Sequence, residues 1–113
     1  MPLFRFRTRR PERDSDTDAD RLGRLRQSIA DIRVEIERER NGLLARHEKV
    51  MDDAAFSQQL VEDERGGRDM SSTVDDMTAT MIHYTKRLAE LREQIEFVAE
   101  LDQRVDAFSR RAS

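Results

Sequence analysis

The sequence predicts an all-α protein: an antiparallel two-helix coiled-coil hairpin with a disordered N-terminal arm, dimerising into a four-helix bundle. Three observations predict it. Apolar residues recur in alternating steps of four and three from Met70 through Val74, Met77, Met81, Tyr84, Leu88, Leu91 and Ile95 to Val98. That is the a/d repeat of a helix that pairs with another helix. Proline occurs only at positions 2 and 11, so no proline interrupts the rest of the chain and long helices are possible. Charged residues make up 40% and hydrophobic residues 36% of the 113 positions. Such a chain is poor in apolar surface for a globule, but sufficient for helices that bury one stripe each.

The first sixteen residues read as the disordered arm. It carries Arg5, Arg7, Arg9, Arg10 and Arg13 against a single Glu12, and aspartates then follow at 14, 16, 18 and 20. Neither stretch has helical periodicity. The helical hairpin takes residues 17–113, with the first helix over 17–64. Thr17 and Asp20 make a variant capping box, and aspartates suit the positive end of a helix dipole.

The first-helix seam reads Leu22, Leu25, Ile29, Ile32 and Ile36. The row begun by Leu25 and Ile32 then fails, since Glu39, Arg46 and Asp53 follow. A better stripe later on is Leu44, His47, Met51, Ala54, Gln58 and Val61, shifted by one residue at Asn41-Gly42. Asn-Gly is a turn signal, and Gly costs about 1 kcal/mol relative to Ala inside a helix. Because periodicity resumes at once, the reading is a continuous or kinked helix.

Gly66-Gly67 is the strongest break and centres a turn over 65–71. The second helix runs over 72–109, with Ser72 and Asp75 as a capping pair. Its seam is Val74, Met77, Met81, Tyr84, Leu88, Leu91, Ile95 and Val98. A short connection makes the two helices antiparallel neighbours.

Apolar residues also fall outside the seam. Val34 and Ile82 do so, and Phe97, Leu101, Val105 and Phe108 continue as a rotated stripe. Apolar positions wider than a/d are what a helix in a larger bundle shows. The simplest closure is a homodimer of hairpins; a helix of a different protein is the other occupant.

The candidate chemistry is thin. Asp14, Asp16 and Asp18 resemble the first ligands of a calcium loop, but Ala19 and Leu25 stand where that loop wants Gly and Glu. The residues three before His47 and His83 are Leu44 and Thr80, so no Glu-x-x-His iron motif exists. Without cysteine there is neither a disulfide framework nor a thiol nucleophile. Gly66-Gly67 lacks the rest of a phosphate loop. The expectation is no catalytic residue, no metal and no cofactor.

No apolar run approaches the ~18 residues that span a bilayer. The arginine-bearing N-terminus lacks the apolar stretch of a secretory signal. The expected setting is the cytoplasm. The functional expectation is a non-enzymatic scaffold or adaptor acting by helix packing and self-association. The alternative is weak, salt-sensitive binding of nucleic acid or an anionic membrane through the arginine arm, with Phe4 and Phe6 as stacking or inserting groups.

Overall fold

The computed structural model describes residues 11–62 and 68–112. They form two helices, α1 (Pro11–Glu62) and α2 (Arg68–Ala112), which pack against each other antiparallel. The chain divides into two compact units. The first comprises Met1–Val34 with Phe97–Ser113, the second Glu35–Glu96.

Helix α1 starts earlier than the sequence suggested. Pro11 suits a first helical position, where its missing N–H costs nothing. Glu12 and Asp14 occupy the first turn, where carboxylates favour the helix dipole. Residues 11–16, expected in the arm, are therefore helical, and Arg13 is an exposed helix residue. Thr17 is interior rather than a cap: its hydroxyl donates to the Arg13 carbonyl at 2.9 Å. The arm's other arginines, Arg5, Arg7, Arg9 and Arg10, lie outside the described residues. So do Gly66-Gly67 and the side chain of Met70. Residues 68–71, expected in the turn, are helical, so Ser72 and Asp75 lie within α2 and cap nothing.

At Asn41-Gly42 α1 runs on as helix. A methyl group at Gly42 would meet nothing within 4 Å. The glycine is thus neither a packing necessity nor a break; neighbouring turns that bury Leu43 and half-bury Arg40 hold the helix there.

The seam of α2 lies where its heptads put it. Val74, Met77, Met81, Tyr84, Leu88 and Ile95 are half-buried, and Leu91 and Val98 are buried. Leu91 is 1% exposed. The same four-three steps continue through Asp102, Val105 and Ser109, all half-buried. Val105, expected on the outer face, is therefore a seam residue.

The seam of α1 differs from expectation in one of its two rows. Leu22, Ile29, Ile36, Leu43, Val50 and Ser57 form the first row, all buried or half-buried. The second row is Arg26, Arg33, Arg40, His47 and Ala54, of which only Arg33 is exposed. Leu25 and Ile32 are off the seam, each 48% exposed. Leu44 and Met51, expected as the later stripe, are 48% and 49% exposed. No one-residue shift occurs, because the four-three steps run from Leu22 to Ser57 unbroken. Long arginines can occupy such positions by laying their methylene stems on the seam while the head reaches its edge.

Candidate interaction surfaces

Numbering the heptad with Arg26 and Asp102 at a places Ile29 and Val98 at d. Positions e and g then flank the seam on either side. In each unit a charged relationship and an apolar surface follow from this register.

In the first unit, Arg26 and Asp102 meet in the seam. Arg26 Nε donates to Asp102 Oδ1 at 3.3 Å, and Nη1 donates to Asp106 Oδ1 at 3.2 Å. Hydrogen bonding to Asp102, then the charge of both carboxylates, raises the guanidinium pKa. Asp106 also takes Arg110 Nη2 at 3.0 Å. A polar pair of this kind at an a position fixes register, since a slip would strand the charges.

On one flank of this unit, Ala30 lines a small crevice with Val98 and Asp102. Ala30 is an e residue, so the other flank carries the g positions: Leu25 and Ile32 from α1, Leu101 and Phe108 from α2. Phe97, one turn before Leu101, widens the strip. Phe97 and Phe108 are 59% and 53% exposed, while Leu101 is half-buried. The Arg111 guanidinium sits 5.8 Å from the Phe108 ring centroid. Sequence reasoning found Phe97, Leu101 and Phe108 but assigned Leu25 and Ile32 to the wrong surface. Their partners across the helix pair are legible only once the phase of α1 is known.

In the second unit, g positions meet as charges. Arg87 Nε and Nη2 donate to the two oxygens of Glu39 at 2.8 and 3.1 Å, and Nη1 donates to Glu90 Oε2 at 3.0 Å. The hydrogen bond from Arg87 holds the Glu39 carboxyl below its ordinary value. The same contacts, with those to Glu90, raise Arg87.

The e flank of the second unit is apolar and open. Leu44 and Met51 stand there on α1, and Ile82 is 66% exposed beside it on α2. A groove of about 380 Å³ is lined by Arg40, Leu44, Leu88, Arg92, Ile95 and Glu96.

His47 lies in the seam, its Nε2 3.4 Å from Thr85 Oγ1. The Thr85 hydroxyl donates to the Met81 carbonyl at 2.9 Å, so its oxygen remains able to accept from the imidazole. His83 is exposed beside Tyr84, with ring centroids 6.3 Å apart. Among the described residues no group of three or more His, Asp or Glu is placed to hold a metal. No helix among them is long and apolar enough to cross a membrane.

No protein-family model matches the chain, and no curated protein or solved structure matches it. The class of protein is defined by the helices alone: a helical hairpin with a polar-pinned seam and apolar flanks.

Proposed function

We propose that this chain is a non-enzymatic scaffold or adaptor. It acts by helix-on-helix packing and pairs with a second copy of itself through the first unit. The observation that carries this reading is the strip Leu25, Ile32, Phe97, Leu101 and Phe108 on one flank. Four of these five large side chains are about half exposed or more, although the seam beside them is already closed. Contiguous apolar surface of this kind marks an association site. Its burial is favourable at ~25 cal/mol per Å². A second copy offers an identical strip, and two-fold pairing of identical patches is the commonest closed assembly. Two hairpins so joined make a four-helix bundle.

Replacing Leu25 and Ile32 together by glutamate tests this. Self-association, followed by sedimentation, is lost while helicity by circular dichroism is kept. Unchanged association would refute the assigned face.

A further inference from the structure

We propose that the groove of the second unit is a docking site for an acidic amphipathic helix of another protein, with Arg40 and Arg92 receiving its carboxylates. This rests on reading the chain as a helix-docking protein, but on a different surface from the self-pairing strip.

The first observation is an arginine that meets no carboxylate among the described residues. Arg26, Arg40 and Arg87 are all half-buried residues. Arg26 holds two aspartates and Arg87 two glutamates. Arg40 occupies the same row as Arg26, yet its Nε and Nη2 both donate only to the neutral Asn41 Oδ1, each at 3.2 Å. A guanidinium at the edge of an apolar groove gains most from a carboxylate that meets its planar fork. Arg92, on the same groove, pairs at 3.4 Å with Glu96 one turn along its own helix. That side chain is 82% exposed, so it can turn toward a second carboxylate at little cost.

The second observation is the shape of the floor. Leu88 and Ile95 are seven residues apart, or about 10 Å along α2. That is one heptad of a partner helix, whose apolar side chains would sit between them and Leu44, itself 48% exposed. The chain's own N-terminal residues are arginine-rich and are repelled by the same two guanidiniums. That segment is not the source of the carboxylates.

The test uses the full chain and a labelled peptide of about four heptads, with Leu at a and d and Glu at e and g. A sister peptide with Lys in place of Glu is the control. Fluorescence anisotropy at low salt shows binding of the Glu peptide and none of the Lys peptide. Arg40→Gln and Arg92→Gln each weaken it roughly tenfold, the weight of one charge-assisted contact. Arg92→Glu, on an exposed side chain that leaves the helices intact, abolishes it. The Leu25/Ile32 glutamate variant binds the Glu peptide as the unaltered chain does, whether or not that chain self-associates. No binding, equal binding of the Lys peptide, or indifference to both glutamine variants overturns the proposal. So does a fall in the chain's own mass on Arg92→Glu, which would give the groove to a second copy.

Discussion

Arg87 on α2 grips Glu39 on α1 by two parallel contacts, Nε to Oε2 at 2.8 Å and Nη2 to Oε1 at 3.1 Å. Both residues are g positions, and their meeting across the helix pair fixes which flanks of α1 and α2 lie together in the second unit. Because Glu39 titrates lower in the folded chain than its ordinary value of 4.5, its contribution to stability is present above that value. It is lost as pH falls through the lower, folded value. The unaltered chain should therefore melt above Glu39→Gln at neutral pH. The gap should narrow as the solution is acidified below 4.5 and close once the pH is under the lowered, folded value. Thermal melts of the two at neutral and at acid pH check this; a gap that persists in acid would deny the carboxylate its role.

The phase of α1 predicts that neighbouring apolar residues respond differently to the same change. Ile29 is 8% exposed and Leu25 48%. Ile29→Asp buries an unpaired charge in the seam and should cost most of the helicity. Leu25→Asp should leave circular dichroism nearly unchanged. Equal loss in both would restore the expected seam and reject the observed one.

Leu91 is the best buried side chain among the described residues, at 1% exposure. Leu91→Ala should destabilise by about 2–5 kcal/mol, the range for deleting a buried leucine side chain. Urea unfolding followed by the helix band of the circular dichroism spectrum is the measurement. A cost under about 1 kcal/mol would place Leu91 outside the core.

Gly42 should respond in the opposite sense. It is helical, and a Cβ there would meet nothing within 4 Å. Gly42→Ala should stabilise by about 1 kcal/mol, from helix propensity alone. Destabilisation would mean that the glycine serves a bend or a close approach.

The heptads of α2 were legible in the sequence because every seam position from Val74 to Val98 is apolar. One row of α1 was legible for the same reason. The other was hidden, because Arg26, Arg40 and His47 fill positions where apolar residues are sought, while Leu25 and Ile32 sit one residue to the side. Counting hydrophobic residues therefore selects the wrong row. What decides the phase is pairing across the seam: Arg26 has Asp102 and Asp106 opposite, whereas Leu25 has no seam partner to gain. A signal did exist in the sequence, since steps of four and three run unbroken from Leu22 to Ser57 if arginine and histidine are admitted. The early start of α1 was missed because four alternating aspartates resemble a helix beginning at Thr17. They instead continue a helix that Pro11 opens. The apolar strip of the first unit is half legible: its α2 members stand off the heptad seam, whereas Leu25 and Ile32 on α1 fit a hydrophobic seam row by spacing alone.

The most direct measurement is the absolute mass of the unaltered chain by light scattering after size exclusion, at low and high salt. The account predicts twice the 13.3 kDa of the single chain at both. A strip held together by apolar burial is not weakened by screening. A helical monomer at every concentration and salt would contradict it, and the strip of Leu25, Ile32, Phe97, Leu101 and Phe108 would then not be a self-pairing surface.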